Sequence, residues 1–134
     1  MEMIWVLRIF FAVVLGSMLW VTTWASSQVS LFAIPRSVGA HPWFIATLLD
    51  AYWGFFTFYL WLAYKEVTWL SRMLWFVAVV LLGNIAMACY CLVQLCRVPT
   101  NTKIEQILLR RDPAAAWIPA SMIVLAGTVA WVAS

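Results

Sequence analysis

Charged side chains are scarce in this sequence of 134 residues, where Lys, Arg, Asp and Glu make up 10%. A soluble globular domain carries roughly a quarter. Apolar residues account for 66%, more than a water-soluble fold of this length could bury. The composition therefore predicts an integral membrane protein with one domain over residues 1–134. The net charge of +3 is spread over connections and helix ends, without the basic patch that nucleic-acid binding needs.

Residues for catalysis and metal binding are also scarce. His41 is the only histidine, which excludes a haem held by two histidines. The three cysteines, Cys89, Cys91 and Cys96, contain no CxxC pair and are typical of small buried apolar side chains. The sequence has no HExxH, no GxSxG and no glycine-rich phosphate loop. We predict no metal site, and the pattern favours a protein that is not an enzyme.

Four apolar stretches are long enough for membrane-spanning helices, which need roughly 20 residues. They are residues 4–25, 43–64, 69–95 and 114–133. His41-Pro42 and Asp112-Pro113 are typical of helix starts, and the short connection 65–68 predicts an antiparallel pair of helices two and three. We therefore predict an all-α, polytopic membrane protein with four transmembrane helices in a small bundle.

A short amphipathic helix is expected at residues 103–111. Thr102 and Glu105 have the spacing of a capping box. Ile104, Ile107 and Leu108 then share one face, so we predict that this helix lies on the membrane surface.

The distribution of Lys and Arg predicts the orientation. One side of the predicted bundle has Arg8, Lys65 and Arg72, and the other has Arg36, Arg97, Lys103, Arg110 and Arg111. Five against three favours the second side as cytoplasmic. Connections 26–42 and 97–113 would then be cytoplasmic, with both termini outside.

Tryptophan is abundant, with ten residues, and most of them lie near the end of an apolar stretch. This distribution is typical of the aromatic belt of a membrane protein. Trp20, Trp53 and Trp75 lie deeper, where they would line a site or pack in the core.

One carboxylate, Asp50, lies inside the second predicted span, about 10 Å from its nearer end. It belongs to a stripe at spacings of three and four: Thr47, Asp50, Gly54, Thr57, Trp61 and Tyr64. Because small and polar residues gather on this face, we expect it to point into the bundle.

The third predicted span carries a matching polar stripe that includes Asn84 and Gln94. We therefore predict a ligand or proton site formed by Asp50, Thr47, Asn84 and Gln94, with Trp53 nearby. A hydroxyl from the first helix would complete the cluster.

An ionised carboxylate inside a bilayer costs about 3 kcal/mol, so Asp50 needs a proton or a partner. We expect it to hydrogen-bond the amides of the third span or to pair with Arg36 or His41. Two interpretations stay open: Asp50 ties helices together, or it binds a ligand or carries a proton.

The segment ATLLDAYWGFFTFYLWLAYKEVTWLSRMLW, followed by GNIAMACYCLVQL, resembles the DUF1475 family of uncharacterised membrane proteins. The resemblance is carried by Ala46, Thr47, Leu48, Asp50, Tyr52, Trp61, Tyr64, Lys65, Glu66, Trp69, Ser71, Trp75, Gly83, Tyr90, Gln94 and Leu95. It implies a multi-helix membrane protein and implies no activity.

These observations favour a small non-catalytic accessory subunit. It would pack against other membrane subunits or itself, and against membrane lipid or an apolar cofactor such as a pigment or quinone. A second hypothesis is an oligomeric carrier or channel with Asp50 as its proton or cation site. A third is a membrane-embedded enzyme acting on a lipid or isoprenoid, with Asp50 as general acid or base.

Overall fold

The computed structural model of the chain describes residues 2–111 and 116–132. This part of the chain is all-α, as predicted. The helices are α1 (Glu2–Gln28), α2 (Arg36–Gly39), α3 (Pro42–Lys65), α4 (Trp69–Leu82), α5 (Asn84–Cys96), α6 (Ile104–Leu109) and α7 (Trp117–Val132), with a 3-10 helix at Leu31–Ala33.

Helices α1 and α3 match the first two predicted spans. At 27 and 24 residues they are about 40 and 36 Å long. Both are long and apolar enough to cross a membrane. Pro42 is the first residue of α3, as its preference for that position predicts, although the His41 side chain makes no capping hydrogen bond.

The third predicted span, residues 69–95, is not one helix. α4 ends at Leu82, Gly83 has φ 52° and ψ −122°, and α5 begins at Asn84. The rings of Trp75 and Tyr90 lie only 4.9 Å apart between centroids, so the chain reverses at Gly83 and forms a helical hairpin. The predicted bundle of four spans is therefore not confirmed.

Two apolar clusters hold the helices together. The first contains Leu62, Trp75, Ala78, Val79, Ala86 and Tyr90, and α7 packs on it through Ile118, Met122 and Ile123. The second contains Ile4, Leu95, Val98 and Ile107 from α1, α6 and the end of α5. The first cluster fixes the hairpin on α3, and the second fixes the start of α1 on the hairpin.

The start of α1 and the ends of α3 and α5 lie together. Nη2 of Arg8 donates hydrogen bonds of 2.8 and 3.0 Å to the carbonyls of Leu95 and Val98. Nζ of Lys65 donates to the carbonyl of Ile107. We call this region the basic end, because it contains Arg8, Lys65, Arg72, Arg97, Lys103, Arg110 and Arg111.

The two long connections lie at different ends of the protein. α2 precedes the start of α3, about 36 Å along that helix from Lys65. Residues 97–111 lie at the basic end. The prediction that connections 26–42 and 97–113 share one side is therefore wrong. Its error came from treating residues 69–95 as one helix that crosses the bundle.

A helix forms within residues 103–111 but is shorter than predicted, covering only Ile104–Leu109. α6 is preceded by Lys103, with no capping side chain, so the Thr102–Glu105 capping box does not form. Its Ile107 is buried in the second apolar cluster. The fourth predicted helix is described from Trp117, and its predicted start at Asp112-Pro113 lies outside the described residues.

Candidate functional site

The carboxylate of Glu66 is completely buried where α3, α4 and α5 meet. Oγ of Ser71 donates a hydrogen bond of 2.5 Å to Oε2, and the hydroxyl of Tyr90 donates one of 2.9 Å to Oε1. Nε of Arg72 donates to the backbone carbonyl of Glu66 at 2.9 Å. A buried carboxylate is costly unless it is hydrogen-bonded, so this Glu66 cluster stabilises the junction of the three helices.

Sequence reasoning missed this cluster. Glu66 follows a long apolar helix, which is typical of an exposed residue at the membrane surface. Thr68 caps α4 by accepting from the backbone N–H of Ser71 at 3.3 Å, which sets Ser71 in the first turn. Tyr90 reaches Glu66 only because the hairpin reverses at Gly83. The signal was the resemblance itself, since Glu66, Ser71, Gly83 and Tyr90 are all among the residues that carry it.

Two side chains of α3 attach α6. Lys65 donates to the carbonyl of Ile107, and Nε1 of Trp61 donates to the carbonyl of Leu108 at 3.1 Å. Nζ of Lys65 also lies 5.3 Å from the centre of the Trp61 ring. The last carbonyls of a helix lack partners within it, so these donors hold α6 by its C-terminal end.

An apolar cavity of about 460 Å³ lies between α1, α3, α5 and α6. Its lining residues are Met3, Leu7 and Phe11 of α1, Phe58 and Trp61 of α3, Cys91, Gln94 and Leu95 of α5, and Ile104, Ile107 and Leu108 of α6. Small-molecule sites occupy roughly 300–1,000 Å³ and have mostly apolar walls with a few polar groups. The cavity has the size and the lining of such a site.

Gln94 carries the one side-chain amide of this lining. Gln94 is 5% exposed, and its side chain has no hydrogen-bond partner among the described residues. Among the lining residues that the structure describes, none is charged. Two basic side chains of the same region, Arg8 and Lys65, donate to backbone carbonyls.

The predicted site residues are not brought together. Thr47, Asp50, Trp53 and Asn84 are exposed, and Gln94 is buried in the wall of the cavity. Asp50 makes no hydrogen bond or ion pair within the described part of the chain. The hydroxyl of Thr47 donates to the carbonyl of its own helix at Trp43, at 2.8 Å.

The reason lies in which face α3 turns towards the hairpin. Tyr52 and Tyr59 donate to carbonyls of α4 at 3.3 and 2.9 Å, and Leu62 is buried in the first apolar cluster. These large side chains bury more apolar surface than the small residues beside Asp50. Of the predicted stripe only Trp61 therefore faces the bundle, and the expectation that Asp50 points into it is wrong.

Arg36 and His41 are also exposed, and neither pairs with Asp50. The role of Asp50 as a ligand, proton or catalytic site stays a prediction.

These features define a class of protein: all-α in its described part, with two helices long enough to cross a membrane and an apolar cavity at its basic end. The chain belongs to the DUF1475 family, described as proteins of unknown function, whose sequence profile matches residues 1–116. The match extends beyond residues 46–95 to include α1, and it leaves out α7. No curated protein and no solved structure matches the chain.

Proposed function

We propose that this protein is a small, non-catalytic membrane subunit that packs against another membrane protein. α1 and α3 support the membrane location, because their most apolar windows are only 6% buried within the protein. The core helix of a soluble protein is mostly buried, whereas these two leave bulky side chains such as Trp20 and Trp53 exposed at 76% and 64%. Lipid or another apolar surface must cover them.

The positive charges support a revised orientation, in which residues 97–111 stay cytoplasmic as the sequence predicted but residues 26–42 lie on the other side. All Lys and Arg residues except Arg36 lie at the basic end, and Arg36 lies at the other end of α3. Positively charged segments remain in the cytoplasm. We therefore place the basic end, with the start of α1, on the cytoplasmic side.

Labelling with a membrane-impermeant maleimide tests this orientation. In a chain in which Cys89 and Cys91 are replaced by Ala, added reagent should label Ser37→Cys in intact cells and leave Cys96 unlabelled. Both positions are exposed in the structure, so they form a matched pair. Labelling of Cys96 alone would reverse the orientation.

The observation that carries the subunit function is the exposed half of the molecule opposite the basic end. We call residues 12–28 of α1 and 42–54 of α3 the far half. None of its residues is buried. It includes Asp50, a carboxylate without a partner in the described chain. Because a charge in the bilayer needs compensation, the far half requires a neighbour that offers a cation or hydrogen-bond donors.

Charge favours a different protein over a second copy as that neighbour. The far half contains no Lys, Arg or His, so a second copy would bring another Asp50 and uncharged donors to a shared interface but no cation. A transmembrane helix with a basic or amide side chain at the depth of Asp50 would complement this face. Such interhelical hydrogen bonds contribute about 0.6 kcal/mol on average in membranes, and an ion pair adds to the apolar packing.

The native mass of the chain extracted in mild detergent from its own membrane tests this function. The wild type should be recovered in a particle that contains a second kind of protein. Asp50→Leu should lose that partner, whereas Thr47→Val should keep it. Thr47 is a matched control, because it lies one turn away on the same face and its hydroxyl is satisfied within α3. A lone monomer would contradict the proposal. A particle of identical chains would show that the neighbour is a second copy and not a different protein.

A further inference from the structure

The cavity at the basic end contains an unsatisfied polar group. Residue Gln94 is 5% exposed and lines the cavity, and its side-chain amide has no hydrogen-bond partner among the described residues. Burying an amide without a partner costs free energy. A bound molecule that offers the missing hydrogen bond would recover this cost.

The walls define the rest of that molecule. Apart from Gln94, the lining consists of aliphatic, aromatic and sulfur-containing side chains from four helices. Leu7 and Phe11 form part of one wall, and Ile107 of α6 forms part of another. These residues favour a hydrocarbon chain and offer no charge to an ionic group.

Neither Arg8 nor Lys65 is among the described residues that line the cavity. Arg8 donates to the carbonyls of Leu95 and Val98, and Lys65 to the carbonyl of Ile107. A phosphate or carboxylate in the cavity would therefore lie in apolar surroundings without a directed counter-ion, which is unfavourable.

We propose that the cavity binds an uncharged hydrocarbon-chain molecule through one carbonyl or hydroxyl oxygen that hydrogen-bonds to the side chain of Gln94. An amide both donates and accepts, so it suits either group. The site rests on the membrane location proposed above, which gives such molecules access from lipid. It does not depend on a partner protein.

Binding to the purified full chain in detergent tests the chemistry with three probes of equal chain length. Hexadecane has no polar group, hexadecan-1-ol has a hydroxyl, and palmitate has a carboxylate. Native mass spectrometry should show one alcohol bound per chain, with several-fold to about tenfold preference over hexadecane, as one hydrogen bond provides. Palmitate should bind more weakly than the alcohol. Preferred binding of palmitate would overturn the proposal.

Two substitutions locate the binding. Gln94→Leu should abolish the preference for the alcohol over hexadecane while hexadecane still binds. Leu7→Trp should fill the cavity and abolish binding of both. Leu60→Trp is the matched control, because Leu60 is 73% exposed on α3 and lies outside the cavity, and it should bind like the wild type. An alcohol preference that survives Gln94→Leu would overturn the assignment of the amide.

Thermal unfolding without any probe gives an independent result. Since Gln94→Leu removes a buried unpartnered amide, it should raise the Tm of the empty protein. A lowered Tm would show that the amide already has a partner, and the proposal would fail. Loss of a partner protein in the native-mass experiment would leave all of these results unchanged, so the two proposals fail separately.

Discussion

The hydroxyl of Tyr90 lies 2.9 Å from Oε1 of Glu66. If the chain ran as one straight helix from Trp69, its rise would carry Tyr90 about 30 Å away from the start of that helix. This hydrogen bond therefore requires the hairpin. The hydroxyls of Tyr90 and Ser71 together provide the Glu66 carboxylate with two donors.

Tyr90→Phe should lower stability, because it leaves one oxygen of the buried Glu66 carboxylate without its donor. We expect a loss of about 1–3 kcal/mol in the free energy of unfolding. Denaturation in detergent, followed by circular dichroism, measures it. Tyr64→Phe is the control, since Tyr64 is exposed and its ring, which Arg111 contacts, is retained. The double variant Glu66→Gln/Tyr90→Phe should lose less free energy of unfolding than the two single variants lose in total. A loss equal to that total would mean that the residues are not coupled.

Gly83→Ala should destabilise the hairpin for two reasons. The φ of 52° with ψ of −122° is rarely adopted by residues with a side chain, and a Cβ would lie 2.6 Å from Cζ of Phe55. The backbone strain alone is worth about 1–3 kcal/mol. Adding Phe55→Ala should relieve the clash but not this strain. The measurement is chemical denaturation of the purified chain in detergent.

Gly54→Ala provides the control for that prediction. No heavy atom lies within 4 Å of a Cβ placed there, and the position is inside a regular helix. We expect unchanged or slightly higher stability, by about 0.5–1 kcal/mol. If Gly83→Ala proved equally harmless, residues 69–96 would have to be one helix.

The distance between Met73 and Cys96 tests the hairpin directly. Both residues are exposed, so Met73→Cys with Cys89 and Cys91 replaced by Ala accepts two spin labels. A straight helix would separate these positions by about 35 Å. The hairpin predicts a much shorter distance between the two labels, which double electron–electron resonance measures. A distribution centred at the straight-helix value would exclude the reversal at Gly83.

Local sequence signals predicted the ends of α3 well, because Pro42 is suited to the first position of a helix and Lys65 follows a long apolar run. The break at Gly83 gave no comparable signal. Apolar residues continue on both sides of it, and one glycine in a helical pattern is commonly tolerated. The turn is revealed by the backbone angles of Gly83 and by tertiary contacts such as that between Trp75 and Tyr90.

The candidate site was harder to predict than the helices. Asp50 and Tyr52 lie on different faces of α3, and each face has helical spacing, so the sequence alone did not decide which one packs. The larger aromatic area decided in favour of Tyr52. Gln94 was among the predicted site residues and lines the cavity, but its neighbours there come from α1 and α6, which spacing along one helix cannot identify.

Lys at position 8 should only partly replace the stabilising contacts of Arg8. Its Nη2 donates to the carbonyls of both Leu95 and Val98, where α5 ends, and its guanidinium carbon lies 5.1 Å from the centre of the Trp5 ring, a contact that the compact ammonium of Lys does not reproduce. We expect Arg8→Met to lower the free energy of unfolding by about 1–3 kcal/mol and Arg8→Lys to recover only part of it. Chemical denaturation measures both. Arg36→Met, at an exposed position of α2, should have no effect. Equal stability of Arg8→Lys and the wild type would mean that a single charge suffices.

The attachment of α6 depends on the indole N–H of Trp61. Trp61→Phe keeps an aromatic ring in the cavity wall but removes the donor to the carbonyl of Leu108. Because Lys65 still holds Ile107, α6 should loosen without leaving, and amide hydrogen exchange over residues 104–109 should accelerate several-fold, as expected for about 1 kcal/mol. Trp69→Phe is the control, since Trp69 is 70% exposed and lies outside the cavity. Unchanged exchange in Trp61→Phe would show that Lys65 and the packing of Ile107 hold α6 by themselves.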